Sequence, residues 1–98
     1  MTHRLILYSK PGCHLCEGLQ EKLEQIHGLD FTLEVRDITS REDWFDAYQF
    51  EIPVLVLETT AEPNGEPATT PISRPSPRAS VKQLEQMLQK YWQNHPTQ

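Results

Sequence analysis

The sequence predicts one α/β domain with the element order β-α-β-α-β-β-α and a mixed four-stranded sheet of order 2-1-3-4. Two continuous apolar runs, residues 5–8 and 52–57, are typical of strands that are covered on both faces. Two less apolar stretches, residues 31–37 and a return strand ending near residue 73, are typical of edge strands. The order 2-1-3-4 follows when the apolar runs lie inside and the first helix makes a right-handed crossover between parallel neighbours.

Length and composition restrict the class of protein. The 98 residues suffice for one domain with its own core, so residues 1–98 are treated as a single domain. Fourteen acidic against nine basic residues give a net charge of −5, and no basic stripe favours nucleic acid. The first apolar run is too short for a signal peptide or a membrane span. We therefore expect a cytoplasmic monomer without a nucleic-acid or membrane partner.

The first half of the chain begins with a strand, a turn and a helix. After the strand at residues 5–8, Pro11 and Gly12 predict the turn. Apolar residues then recur every three or four positions over residues 13–27. This spacing predicts an amphipathic helix with Gly28 as its C-terminal cap.

A short second helix is expected after the alternating strand at residues 31–37. Thr39 or Ser40 is the predicted N-terminal cap, and the helix should run to about residue 48. Its three aromatic side chains are interpreted as core packing rather than as a ligand site. They are Trp44, Phe45 and Tyr48.

The third strand and the segment after it carry strong turn signals. Pro53 has no backbone donor, which suits the first residue of a strand or a special turn. Residues 58–73 are rich in Thr, Pro, Gly and Glu. Within them, Asn64-Gly65 predicts the tip of a hairpin whose return strand ends near Ile72.

The last helix is predicted by a capping box. Residues 74–78, here called the connector, contain two prolines and are expected to be stiff and non-helical. Ser80 and Gln83 then have the spacing at which each side chain caps the backbone amide of the other. The helix is expected to run to about Asn94.

Both cysteines lie where the first strand passes into the first helix, spaced Cys-x-x-Cys at Cys13 and Cys16. Residues three apart at a helix start lie about 5 Å apart, within the range for a disulfide. The unpaired amides and the positive dipole end of a helix stabilise a thiolate. Cys13 is therefore the predicted nucleophile, and Cys16 the thiol that resolves its mixed disulfide. In a reducing compartment such a pair favours catalytic cycling over a structural bridge.

Other chemistries are open to a single Cys-x-x-Cys pair. It can be part of a zinc or iron–sulfur site, or it can be two inert buried thiols. A structural zinc site normally has four ligands. The chain has no third cysteine and its four histidines lack ligand spacing, so we expect no metal site within one chain. A cluster would need a dimer or glutathione to complete its ligand set.

Two short motifs in these positions make the chain resemble the glutaredoxin-like proteins of the thioredoxin fold. Residues 8–13, Tyr-Ser-Lys-Pro-Gly-Cys, are similar to the glutaredoxin approach to the active site. Residues 51–55, Glu-Ile-Pro-Val-Leu, look like the cis-proline segment of that family. The resemblance covers nearly the whole chain and implies a thioredoxin-like fold with disulfide-exchange activity.

The resemblance also implies roles for particular residues. Lys10 would favour the thiolate of Cys13 through its positive charge. Ile52 would offer free backbone hydrogen-bonding groups to an extended substrate or to glutathione, and Pro53 would be cis beneath it. Independently of the resemblance, His14 either stabilises the neighbouring thiolate when protonated or is an exposed helix-start residue without such a role.

Two departures from the glutaredoxin pattern concern glutathione. His14 and Leu15 replace the Pro-Tyr between the cysteines, and a Gly-Gly followed by Asp is absent before the last helix. Residues 74–80 occupy that place, and Arg78 there is either a ligand for a substrate carboxylate or a solvated loop charge. We expect no bound cofactor. The resemblance implies glutathione as a reductant or co-substrate, but the missing anchors predict weak dependence on it.

The sequence therefore predicts a thiol–disulfide oxidoreductase that reduces protein disulfides, or mixed disulfides with glutathione, through a Cys13/Cys16 dithiol. Its partners would be a protein disulfide and a cellular reductant. One alternative is a module that binds a metal or an iron–sulfur cluster between two chains. Another is a non-catalytic scaffold with the same fold.

Overall fold

The fold is described by a computed structural model that covers residues 2–60 and 68–94. The elements are β1 (Thr2–Ser9), α1 (His14–Glu24), β2 (Thr32–Asp37), a 3₁₀ helix (Ile38–Ser40), α2 (Glu42–Tyr48), β3 (Val54–Thr60), β4 (Ala68–Ile72) and α3 (Val81–Asn94). Among these elements, no helix is long and apolar enough to cross a membrane. The predicted hairpin tip at Asn64-Gly65 lies outside the described residues.

The four strands form one mixed sheet in the predicted order, β2-β1-β3-β4. β1 is parallel to β2 and antiparallel to β3, and β4 is antiparallel to β3. Leu7 of β1 stands opposite Val35 of β2 and Leu55 of β3. The strand that leads into the Cys-x-x-Cys segment is therefore paired on both sides.

Both faces of the central strands are covered, which is why their sequences are continuously apolar. One face packs against α1 and α3 through a leucine-rich cluster. Leu5, Leu57 and Leu88 belong to this cluster and have no exposed surface. The opposite face, with Ile6 and Tyr8, packs against the 3₁₀ helix and α2. The sheet thus lies between two helical layers.

The aromatic side chains of α2 pack on the second face, which confirms their predicted role in the core. The ring of Tyr48 lies 4.3 Å from that of Tyr8, and Trp44 meets Tyr8 edge-on at 5.7 Å. Arg36 donates to the Tyr8 hydroxyl at 3.0 Å and lies over the Trp44 ring. Burial raises the pKa of Tyr48, and the neighbouring Tyr8 adds to the rise. This packing fixes α2, and with it the loop before Pro53, on the sheet.

The C-terminal end of α1 differs from the prediction. The helix ends at Glu24, and its cap is Gln25 rather than Gly28. The amides of residues 25 and 26 donate to carbonyls three residues back, and this tighter turn closes the helix before the glycine. The Gly28 amide instead donates to the Glu85 carboxylate of α3 at 3.3 Å.

The start of α2 is also capped differently. Asp37 accepts hydrogen bonds from the Thr39 amide at 2.8 Å and from the Thr39 hydroxyl at 2.6 Å, and the 3₁₀ turn forms there. α2 begins only at Glu42, after Arg41, whose side chain makes no capping bond. Thr39 and Ser40 are not the cap of α2, because both lie in the 3₁₀ helix.

α3 begins with the predicted capping box. The Ser80 amide donates to Gln83 Oε1 at 2.9 Å, and the Gln83 amide donates to Ser80 Oγ at 3.1 Å. Further along the helix, the Tyr91 hydroxyl accepts the Ser73 amide at 3.0 Å. This bond ties α3 to the chain just after β4, where the connector begins.

Candidate active site

The turn between β1 and α1 places Cys13 at the start of the helix. The Cys13 amide donates to the Lys10 carbonyl at 3.2 Å, which closes the turn after Ser9. Gly12 has a φ of +84°, a backbone conformation that favours glycine. Cys13 then has extended backbone angles as the N-cap residue of α1. It is thus held at the carboxyl end of a central strand, where α/β sheets commonly place their sites.

The two cysteine sulfurs differ in exposure and in hydrogen bonding. Cys13 and Cys16 form a disulfide with 5.3 Å between their Cα atoms, so the structure describes the oxidised form. Cys16 is only 1% exposed, whereas Cys13 is partly accessible. Cys13 Sγ accepts the Cys16 backbone amide at 3.2 Å. A thiolate at Cys13 can receive this hydrogen bond, because the first turn of a helix leaves its amides without helical partners.

The peptide bond between Ile52 and Pro53 is cis, in agreement with the sequence prediction. The expectation that Ile52 offers two free backbone groups to a substrate is wrong for this structure. Its amide donates to the Tyr48 carbonyl at 3.1 Å, because the end of α2 leaves that carbonyl without a helical partner. Its carbonyl accepts Arg74 Nη2 at 3.3 Å. A substrate strand must share this carbonyl with Arg74 or displace it.

Lys10 and His14, the two predicted activating residues, have exposed side chains close to Cys13 in the sequence. Within residues 2–60 and 68–94, neither side chain hydrogen-bonds to a cysteine sulfur. Because both side chains are exposed, salt screens their charges over about 8 Å. Their activating roles stay predictions.

A groove with a volume of about 200 Å³ opens beside the disulfide, between α1 and the connector. One face of α1 forms a wall of the groove, and its lining residues recur every three or four positions. Two of the lining residues directly follow Cys13 in the sequence. The lining includes His14, Leu15, Gly18, Lys22, Pro53 and Arg74. The groove therefore joins the Cys-x-x-Cys segment to the cis-proline segment.

Two cations hold the connector in place along the groove. The Lys22 ammonium donates to the carbonyls of Pro77 at 2.8 Å and of Ala79 at 2.6 Å. Arg74 holds the other end of the connector through its bond to the Ile52 carbonyl. The wall of the groove is therefore formed before any ligand binds.

These two cations were not identified from the sequence. The sequence points to Arg78, whose side chain is exposed and does not line the groove. A substrate contact by Arg78 stays a prediction. Lys22 follows Leu15 and Gly18 at helical spacing, on the same face of α1. The sequence alone could therefore have placed Lys22 beside these two residues. The position of Arg74 depends on how the connector packs on α1, and no local pattern gives it.

No group of three or more His, Cys, Asp or Glu side chains in the described ranges is placed to hold a metal ion. Two cysteines alone leave a zinc or iron–sulfur ligand set incomplete. The cluster-binding alternative therefore depends on ligands from a second chain or from glutathione.

The sheet order, the helices on both faces and the Cys-x-x-Cys segment after β1 define a thioredoxin-fold protein, and solved structures agree. The Trx4 domain of ERdj5 is similar with a TM-score of 0.65 and 12% identity, over 95% of this chain and 82% of that chain. A malarial protein is similar with a TM-score of 0.62 and 15% identity, over 92% and 97% of the two chains. At these identities both show the fold alone.

A third solved structure has a higher sequence identity, and a family model matches most of the chain. Target protein XcR50 from X. campestris is 26% identical with a TM-score of 0.52, over 88% of this chain and 96% of that chain. No curated protein matches the sequence. Residues 4–89 match the model of the glutaredoxin-like domain (DUF836), and the chain belongs to this family.

Alkylation of the reduced protein should occur first at Cys13 and should be fast at neutral pH. The helix-start amide and the charge of Lys10 both favour the anion, so we expect the pKa of Cys13 to lie below the ordinary thiol value of about 8.5. Rates of iodoacetamide labelling against pH, with the modified residue located by mass spectrometry, measure this.

Cys16→Ser is the matched control for this labelling, because it leaves Cys13 as the one reactive thiol. A midpoint at or above about pH 8.5 would contradict the assigned nucleophile. Earlier labelling of Cys16 in the wild-type protein would contradict it as well.

Proposed function

We propose that the protein is a thiol–disulfide oxidoreductase that reduces disulfides in other proteins. One observation carries the proposal. The partly accessible Cys13 sulfur accepts a helix-start amide, while its partner Cys16 is buried one turn further in. Membership of the glutaredoxin-like family supports the same chemistry.

The first half of the reaction is an attack by the reduced protein. The Cys13 thiolate attacks one sulfur of the substrate disulfide, forming a Cys13–substrate bond as the substrate bond breaks. The released substrate thiolate takes a proton from solvent. The accessibility of Cys13 and the hydrogen bond to its sulfur suit it to this role.

The second half releases the substrate and oxidises the protein. Cys16 loses its proton and attacks Cys13 Sγ, the second substrate sulfur leaves as a thiolate that takes up a proton, and the Cys13–Cys16 disulfide forms. Two electrons have then passed from the dithiol to the substrate. A cellular thiol reductant, whose two thiols become one disulfide, restores the dithiol. Burial of Cys16 suits it to attack the neighbouring sulfur and disfavours its reaction with outside disulfides.

We further propose that glutathione is a poor reductant for this protein. It carries two carboxylates, and tight capture needs charge-assisted hydrogen bonds. The Gly-Gly-Asp anchor of glutaredoxins is absent, and Arg74 in the segment that replaces it already binds the Ile52 carbonyl. Two lost charged hydrogen bonds at about 1.5–3 kcal/mol each would weaken binding about a hundredfold or more. A protein disulfide can gain contact area around Pro53 instead.

Reduction of the disulfides of insulin, run separately with two electron sources, tests the proposal. Turnover with a thioredoxin-reductase system should exceed turnover with glutathione and glutathione reductase by about tenfold or more, which follows from the missing anchors. Cys13→Ser is the control and should be inactive with both sources.

Three other outcomes would count against the proposal. Faster turnover with glutathione would overturn the proposed reductant. No turnover with either source, or with a chemical dithiol, would favour the non-catalytic scaffold. Zinc or iron at about one ion or cluster per two chains in freshly purified protein would favour the cluster-binding module.

A further inference from the structure

We propose that the groove between α1 and the connector selects substrate segments in which a bulky apolar side chain and a carboxylate lie close to the disulfide cysteine. The inference rests on the proposed function and adds a substrate preference to it. Three features of the groove support the inference: a glycine beside which a side chain would have free space, apolar walls, and two cations without an acidic partner.

Gly18 keeps the groove open from the side of the helix. It lies inside α1, where glycine is less favourable than any residue except proline. A Cβ atom at Gly18 would meet nothing within 4 Å, and its φ is not positive. Neither packing nor backbone conformation therefore requires glycine here. A larger side chain would occupy the groove, so the glycine preserves volume for a group from outside the chain.

The preserved volume suits one large apolar side chain. The groove of about 200 Å³ is larger than the engineered apolar cavity of about 150 Å³ that admits benzene. Its walls include Leu15, which is 50% exposed, and the rings of Pro53 and Pro75. An apolar side chain that covers Leu15 would remove both surfaces from water.

Two cations give the groove its charge preference. Neither Lys22 nor Arg74 forms an ion pair within residues 2–60 and 68–94. Lys22 uses two of its three donors on carbonyl oxygens, which do not neutralise its charge. A substrate carboxylate would do so. The net charge of −5 opposes an acidic segment at long range, but salt screens that repulsion beyond about 8 Å.

The position of the groove connects this preference to the chemistry. His14 and Leu15 lie between the two cysteines, and Pro53 belongs to the cis-proline segment. All three residues also line the groove. A substrate whose cysteine reaches Cys13 therefore brings its neighbouring side chains to the groove.

Single-turnover oxidation of the reduced protein by defined disulfides tests the preference. Two symmetrical peptide disulfides are compared, one with Phe and Glu beside each cysteine and one with Ala and Gln. The wild-type protein should react with the Phe-Glu peptide about tenfold faster or more, as a filled apolar site allows. Bis(2-hydroxyethyl) disulfide, which carries neither a bulky apolar side chain nor a carboxylate, provides a reference rate.

Gly18→Phe fills the groove and should remove the preference, measured as the rate with each peptide divided by the rate of the same variant with the small disulfide. That reference rate also reports an intact site, and Gly18→Leu serves as a second variant if the larger ring disturbs it. Gly18→Ala is the matched control and should keep the preference, since its methyl group meets nothing. Arg74→Gln should reduce the discrimination of Glu from Gln in a peptide that keeps Phe.

The contrary outcomes are distinct. Equal rates with both peptides, or an unchanged preference in both filled variants, would overturn the inference and leave the proposed function standing. If glutathione disulfide reacts fastest and filling the groove suppresses it, the groove is a glutathione site and the inference is also wrong. No reaction with any disulfide, the small one included, would overturn the proposed function itself.

Discussion

Replacing Cys16 by serine should convert the reduced protein into a trap for its substrates. Cys13 keeps its accessible position and can still form the mixed disulfide. The buried thiol that would expel the substrate is gone, so turnover of protein disulfides should stop. Non-reducing electrophoresis and mass spectrometry of the reduced variant with a protein disulfide should show a covalent adduct at Cys13.

The control for the trap is Cys13→Ser, which should form no adduct because the buried Cys16 cannot reach an outside disulfide. Both variants should fold like the reduced wild-type protein, because the change replaces one sulfur by oxygen. Efficient removal of glutathione from a glutathionylated protein by Cys16→Ser would contradict the two-cysteine mechanism. It would indicate that a single cysteine suffices.

Replacing Leu88 by alanine should have a large effect on stability. Leu88 has no exposed surface and lies in the cluster that joins α1 and α3 to the sheet. Loss of its side chain should lower the free energy of unfolding by about 2.7–5 kcal/mol, from lost burial and the cavity left behind. Small domains have only about 5–15 kcal/mol in total, so the variant should be close to unfolding. Urea denaturation followed by circular dichroism measures the change.

Leu15→Ala is the matched control for this experiment, since it makes the same chemical change at a position that is 50% exposed. Its free energy of unfolding should fall by less than about 1 kcal/mol, because little surface is lost from the core. Similar losses for the two variants would mean that the cluster around Leu88 is not a close-packed core.

The sheet order and the last helix cap could be predicted because each depends on a local signal. Residues 5–8 and 52–57 are continuously apolar, and only central strands need apolar residues on both faces. Ser80 and Gln83 lie within one turn of the same helix, so their spacing alone fixes the capping box. The placement of Cys13 at the helix start follows from the same kind of local pattern.

Other features could not be predicted because they depend on contacts between distant segments. The bond from Arg74 to the Ile52 carbonyl joins residues that lie far apart in the chain, and so do the bonds from Lys22 to the end of the connector. Arg74 lines the groove and Arg78 does not, and this difference depends on how the connector packs rather than on a pattern in the sequence. The position of Gly28 in the sequence favours a helix cap, and only the packing of α3 gives its bond to Glu85.

Because β1 is a central strand, it should be among the last strands to detach when the protein partly unfolds. β2 and β4 each have one unpaired edge, so either can separate from the sheet while the other three strands remain together. β1 can separate only if its ladders to both β2 and β3 break. Its amides should therefore exchange with solvent only in the largest opening events. The strand that leads into the Cys13 turn is consequently among the last parts of the sheet to unfold when the protein fluctuates.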